Sequence, residues 1–227
     1  MKAYAQEALE LSESLGDMTG IARASKDLGN AAVLEGDYER AERLFETCRA
    51  AALAANERRY VVIAMVSLGN SAHFQGRYER ALAFSQEALA LARELGHPET
   101  IMVALFNAGF AFFRLGRHDD ARTRIKESLT LAYSLRSAHM IASCISLTGS
   151  LATARGDSQQ AGQLLAMAEA LQMELGVSNF APEQELHDET AASLRERLDP
   201  HQLAKAQTAG QAMTLDEAVA YAAQSLS

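Results

Sequence analysis

The chain has 227 residues, of which 48% are hydrophobic, and a formal net charge of -8 at pH 7. This length suits one or two domains with a sizeable core, and the negative charge disfavours direct binding to the phosphate backbone of nucleic acids. No apolar run approaches the roughly 20 residues of a membrane span, and the N-terminus has no apolar signal core. We therefore expect a cytoplasmic protein that binds neither membranes nor nucleic acid directly.

The first predicted element is a single helix in residues 1–16. Its sequence QEALEL at 6–11 returns as QEALAL at 86–91, which is two periods of the repeat described below. The match predicts half a repeat, a second helix (helix B) without its first (helix A). Leu9 and Leu11 then need a cover, because a repeat cannot bury its apolar face alone. Either the chain is part of a longer protein, or this end docks on another chain.

Residues 17–176 repeat with a period of 40 residues. Three position classes keep one register, which makes coincidence a poor explanation. They are Gly29, Gly69, Gly109 and Gly149; Gly36, Gly76, Gly116 and Gly156; and Ala41, Ala81, Ala121 and Ala161.

Each class predicts a structural role. A glycine inside a helix costs about 1 kcal/mol relative to alanine, so the first class implies close approach of a partner helix. The second class follows an apolar run, as a helix stop does, and Asp37 and Asp157 then stand at N-cap positions, where Arg77 and Arg117 stand in the other units. The small third class lets helix B lie on helix A. The predicted helices A are 17–35, 57–75, 97–115 and 137–155, and the helices B are 37–54, 77–95, 117–135 and 157–175.

The motif residues resemble the tetratricopeptide repeat, in which Leu-Gly is followed by alanine and then a large residue four positions on. The 40-residue period resembles the long-helix subclass of Pins-type proteins, kinesin light chains and bacterial regulators. The resemblance implies an all-α, right-handed α-solenoid of antiparallel hairpins that binds proteins or peptides, without enzymatic activity or a cofactor. The residues that carry it include Leu28-Gly29, Ala41 and Phe45; Leu68-Gly69 and Ala81; Gly109, Ala121 and Ile125; and Gly149, Ala161 and Leu165.

Residues 177–227 leave the period and predict a helical cap. Pro182 and Pro200 open predicted helices at about 183–197 and 201–211, and Thr214 to Glu217 has capping-box spacing. The end of this tail resembles the C-terminus of large bacterial regulators that join a signalling ATPase to a tetratricopeptide sensor region. These residues hold no ATPase or helix-turn-helix motif, so those activities do not carry over.

In the tetratricopeptide fold helix A lines the concave face, which is the usual binding surface of solenoids. Registering each repeat on its glycine predicts a face that runs from basic, through apolar and aromatic, to small and polar. The predicted site comprises Arg23, Lys26, Asn30, Ile63, Val66, Asn70, His73, Phe74, Val103, Phe106, Phe110, Phe113 and Arg114, with Val33 at one end and Ser143, Ser146, Ser150 and Thr153 at the other.

Several alternatives for this face stay open. Asn30 and Asn70 share one repeat position and predict amide contacts either to a peptide backbone or to a neighbouring helix. The phenylalanines predict contact with a ligand or with the tail folded back over them. A carboxylate clamp is disfavoured, since Val103 and Asn107 stand where it needs cations.

Other functions remain as alternatives. Self-assembly through residues 2–16 and a small-molecule pocket under the tail compete with peptide binding. An enzyme is disfavoured, since His73 alone supports it and no metal-binding spacing occurs. Cys48 and Cys144 fall in small packed slots more than two repeats apart, which predicts buried free thiols.

Overall fold

The structure is a computed structural model that describes residues 2–176 and 180–227, so residue 1 and 177–179 of the predicted tail lie outside it. The described residues form twelve helices and no strand. The chain divides into two compact units, residues 1–107 (unit 1) and 108–227 (unit 2). The boundary falls inside one helix. The fold is all-α, as predicted.

Unit 1 contains five helices and the first part of a sixth. They are α1 (Lys2–Leu15), α2 (Met18–Leu34), α3 (Tyr38–Ala54), α4 (Arg58–Phe74), α5 (Tyr78–Leu95) and α6 (Pro98–Arg114).

Unit 2 continues from the second part of α6. It holds α7 (His118–Ser134), α8 (Ala138–Ala154), α9 (Ser158–Leu175), α10 (Ala181–Arg197), α11 (Pro200–Gln211) and α12 (Leu215–Ser225). Neighbouring helices pack in series, and every predicted repeat helix ends within two residues of its observed bounds.

The glycine after each helix A adopts the left-handed conformation that the turn requires. The φ angles of Gly36, Gly76, Gly116 and Gly156 are +76°, +66°, +74° and +88°. A side chain would be strained at these positions. The predicted caps are confirmed, since the carboxylates of Asp37 and Asp157 accept hydrogen bonds from backbone amides, while Arg77 and Arg117 provide no side-chain cap.

The glycine inside helix A marks the point where a large helix B side chain crosses it. A Cβ on Gly29 would overlap the Phe45 ring, and one on Gly109 would lie 2.6 Å from Ile125. Gly149 meets Leu165 in the same way. Gly69 differs, because its nearest neighbour is Ser85 Oγ at 3.4 Å, an ordinary contact. Close approach therefore explains three of these four glycines.

The two cysteines are buried free thiols, as predicted. Burial is the main cause that raises the pKa of Cys48 to about 11 and that of Cys144 to about 12. Neither thiol is activated as a nucleophile, since the thiolate is the reactive form.

The tail helices fold back on unit 2. α10 packs on α8 and α9, α11 packs on α9, and α12 contacts α7, α8 and α9. α11 comes close to α9 because Gly210 has no side chain. A Cβ at this position would overlap the carbonyl oxygen of Gln163. The start of α12 is held where the hydroxyl of Tyr133 donates to Asp216 at 2.8 Å. As a result, every residue of α8 from Met140 to Thr153 is buried.

Candidate functional site

The part of the predicted site that stays accessible lies on the helices A of unit 1. Arg23 and Asn30 on α2 are exposed, whereas the other members are half-buried. Repeat equivalence places these positions on one face of each helix. We call this set the unit 1 face; it comprises Arg23, Lys26, Asn30, Ile63, Val66, Asn70 and Val103.

The unit 1 face carries positive charge at its α2 end. Lys26 Nζ lies 2.8 Å from Asp27 Oδ1, so part of its charge is compensated. Arg23 makes no ion pair within the described residues. Arg59, exposed one helical turn before Ile63, adds a cation that the sequence prediction missed. The sequence carried a signal for Arg59, because it stands four residues before Ile63 and residues at this spacing share a helix face.

A hydrogen bond between neighbouring helices fixes one amide of the unit 1 face. Nδ2 of Asn107 on α6 donates to Oδ1 of Asn70 on α4 at 2.7 Å. Asn70 thus contacts a neighbouring helix, which was the alternative to peptide binding. The same bond orients the amide and leaves its own Nδ2 as a donor. Asn30 remains exposed.

Three members of the predicted site in unit 1 are packed into the protein. His73 and Phe106 are 7% and 4% exposed. The His73 ring lies 6.2 Å from that of Tyr78, and Phe74 stacks on Tyr38 at 4.8 Å between ring centroids. His73 and Phe74 thus each contact the tyrosine that opens a helix B, and Phe106 is buried, so these side chains offer a ligand little surface.

The predicted site residues of unit 2 also have partners in the protein. Phe110 is 3% exposed, and the Phe113 ring meets His118 edge-on at 5.2 Å. Arg114 lies 5.7 Å above the Phe110 ring, and its Nη1 is 2.7 Å from Glu189 Oε2 on α10. For Arg114, the structure therefore shows contact with the tail.

The small polar residues of the fourth repeat are covered by α10. Ser143, Ser146, Ser150 and Thr153 on α8 are all buried. The hydroxyls of Ser150 and Thr190 lie 2.8 Å apart, and Arg197 Nη1 donates to the Thr153 carbonyl at 2.9 Å. The predicted small-polar end of the site is thus occupied by the chain itself.

One cluster under α10 has the residue types of a hydrolase triad. Ser146 Oγ lies 3.3 Å from His187 Nδ1, and His187 Nε2 lies 2.9 Å from Glu169 Oε1. Ser146 is 8% exposed and sits in the middle of α8, where the backbone amides bond within the helix. No amides are therefore left beside it to stabilise an oxyanion. We interpret the cluster as a structural contact.

The described residues offer neither a metal-binding cluster nor a membrane-spanning helix. Residues 2–176 and 180–227 contain no group of three or more His, Cys, Asp or Glu side chains that could hold a metal ion. Over the same residues, no helix combines the length and apolar character needed to cross a bilayer.

The serial hairpins and the recurring glycine contacts define an all-α helical-repeat protein of the solenoid class. Residues 60–134 match the family model described as tetratricopeptide repeat. This match identifies tetratricopeptide repeats within residues 60–134, about a third of the chain.

Among solved structures, the chain is similar to the crystal structure of BtubC (BKLC) from P. vanneervenii. The two share 18% sequence identity over 94% of this chain and 92% of that chain, with a TM-score of 0.65. At this identity the likeness shows the fold alone. The comparison with curated proteins gave no match. The 40-residue subclass and the resemblance of the tail to bacterial regulators stay predictions.

Proposed function

We propose that the unit 1 face binds an acidic segment of a partner protein. Tetratricopeptide repeats generally mediate protein–protein interaction and are generally non-enzymatic scaffolds. The observation that carries the proposal is the exposed Arg23, which has no ion pair in the described part of the chain and lies beside half-buried aliphatic side chains. Charge there steers an acidic partner, while Ile63, Val66 and Val103 offer apolar contact.

The amides of the unit 1 face suit an extended backbone. Asn70 is held by Asn107 with its own Nδ2 left to donate, and Asn30 is exposed. Both can pair with peptide groups without reading the sequence of the partner. In this proposal the cations and the aliphatic residues set specificity, and the amides set register.

The proposal is tested with a fluorescein-labelled peptide that has a Leu-Phe centre and Glu-rich ends, measured by fluorescence anisotropy. Arg23→Ser combined with Arg59→Ser should weaken binding about tenfold at low salt, because each exposed cation contributes up to about 1 kcal/mol. Arg43→Ser is the matched control, since Arg43 is an exposed cation on α3. Equal losses in the two variants would place binding elsewhere.

A second candidate function is self-association through α1, and one observation favours it. Tyr4, Leu11 and Leu15 are 78%, 61% and 72% exposed, whereas Phe84, the counterpart of Tyr4 in α5, is 8% exposed. Sedimentation velocity of the wild type and of Leu11→Ser with Leu15→Ser tests it. A wild type that is monomeric at all concentrations contradicts this function. The regulatory context and the cytoplasmic location stay predictions.

A further inference from the structure

The contact between α8 and α10 is a ladder of paired polar side chains. Ser143 hydrogen-bonds Glu183, Ser146 lies against His187, and Ser150 bonds Thr190. The partners are 40 or 41 residues apart, so α10 runs parallel to α8. Their polar residues pair in the same order along both helices. Leu186 and Leu194 supply the apolar part of the contact, at 5% and 2% exposure.

The ladder is only partly satisfied. Oε2 of Glu183 is buried and has no hydrogen-bond partner among the described residues. Burial raises the pKa of Glu183 to about 7 despite the bond from Ser143. Because a buried, unpaired oxygen opposes docking, the contact gains less than its number of hydrogen bonds suggests.

A charged contact joins α10 to the end of α6. Arg114 meets Glu189 at 2.7 Å and Glu185 at 3.9 Å. Both glutamates are exposed, so solvent screens these pairs. α10 therefore presents an acidic edge to Arg114 and a hydrogen-bonding edge to α8.

The docking of α11 is of another kind. Gly210 approaches the backbone of α9, and a Cβ added to Gly162 would lie 3.1 Å from Ala206. This close backbone packing leaves little room for larger side chains between the two helices. α11 is therefore suited to stay docked while α10 exchanges.

We propose that α10 is a ligand held in cis, and that the α8 face binds a partner helix with the same pattern by releasing α10. The pattern is Glu, His and Thr at positions i, i+4 and i+7, with a glutamate at i+6 toward Arg114. This assigns to the fourth repeat a second binding surface, separate from the unit 1 face. The partner is an acidic helix.

The test adds a fluorescein-labelled peptide of residues 181–197 to the full chain and measures anisotropy. Glu189→Gln with Thr190→Val weakens α10 in cis while leaving α8 and Arg114 intact. The peptide should bind this variant at least about tenfold more tightly than the wild type, because the covalent competitor is weaker. Asp188→Asn is the matched control, since Asp188 is exposed and its side chain accepts from Gln184 on α10 itself. It should bind the peptide as the wild type does.

Two further variants decide the outcome. Ser150→Ala with Arg114→Gln, added to the weakened variant, should abolish the gain. A Ser150→Cys, Thr190→Cys pair should block the peptide when oxidised and admit it when reduced, which holds even if the weakened variant folds poorly. The proposal fails if peptide affinity is the same in the wild type, the weakened variant and both redox states.

Discussion

The second and fourth repeats place different residues at equivalent positions of helix A. α4 carries Ile63 and Val66, which stay half-buried, whereas α8 carries Ser143 and Ser146, which are buried under α10. The small serines let α10 lie close enough to α8 for its polar side chains to hydrogen-bond them. The same repeat architecture can thus give an accessible surface or a contact that is closed by another helix. The side chains at the predicted site positions of helix A differ between the two cases.

The largest expected effect comes from placing the same charged residue at equivalent positions of the two repeats. Ser146→Lys introduces at this position the residue that α2 has at Lys26, and it should destabilise unit 2 by about 3 kcal/mol or more, since the ammonium would be buried without a partner. Val66→Lys, at the equivalent position of α4, should cost less, about 1 kcal/mol, because half-buried Val66 loses packing on the core but the lysine ammonium can still reach solvent. Urea denaturation measures both. Equal losses would show that α10 does not enclose this position.

The helix A glycines give a second comparison between repeats. Gly29→Ala should cost about 2 kcal/mol, because the new methyl group overlaps the Phe45 ring. Gly69→Ala should stabilise by up to about 1 kcal/mol, since Ser85 leaves room and alanine favours the helix. Thermal denaturation followed by circular dichroism distinguishes the two. Similar destabilisation by both changes would contradict the size argument.

The acid in the first turn of α10, Glu183, predicts a dependence on pH. Burial raises the pKa of Glu183 from its ordinary value of 4.5 to about 7 in the folded protein, so its contact is intact at low pH and weakens as pH rises toward and through 7. Between pH 6 and 8 the wild type should lose about 1 kcal/mol relative to Glu183→Gln. Glu196→Gln, an exposed control on α10, should follow the wild type. Parallel curves for wild type and Glu183→Gln would overturn this expectation.

The smallest effect compares the two arginines of the predicted site. Arg114→Ser should cost about 1 kcal/mol, because it removes the pairing with Glu189 and the contact with Phe110. Arg23→Ser should change stability by less than about 0.5 kcal/mol, since Arg23 has no ion pair among the described residues. Chemical denaturation tests the difference. A larger loss for Arg23→Ser would mean that this residue is structural.

The repeat was predictable because its signals are local and recur. Gly36 and Asp37 mark a helix stop and a helix start within two residues. The turn glycine recurs at the same position 40 residues later in each repeat, which marks the same boundary there. The sequence predicted close approach of a partner helix at Gly29 and Gly109, and the structure places Phe45 and Ile125 there. Self-similarity made the hairpins the easiest part of the fold to infer.

The site was harder to predict, because it depends on which segments fold back. Helical spacing grouped Phe106 and Phe110 with exposed positions, although both are buried. The serines of α8 suggested a polar groove, whereas their small size was the signal for a covering helix. Glu183, His187 and Thr190 lay 40 or 41 residues beyond them, but a polar tail gave no apolar pattern to align.

The enclosure of α8 has a consequence for hydrogen exchange. With Met140 to Thr153 all buried, its amides have no route to solvent through fraying or small local motions. They should therefore exchange only when unit 2 opens, and their slowest rates measure the free energy of that opening. The helix with the most serines at its helix A positions becomes the most protected segment of its unit.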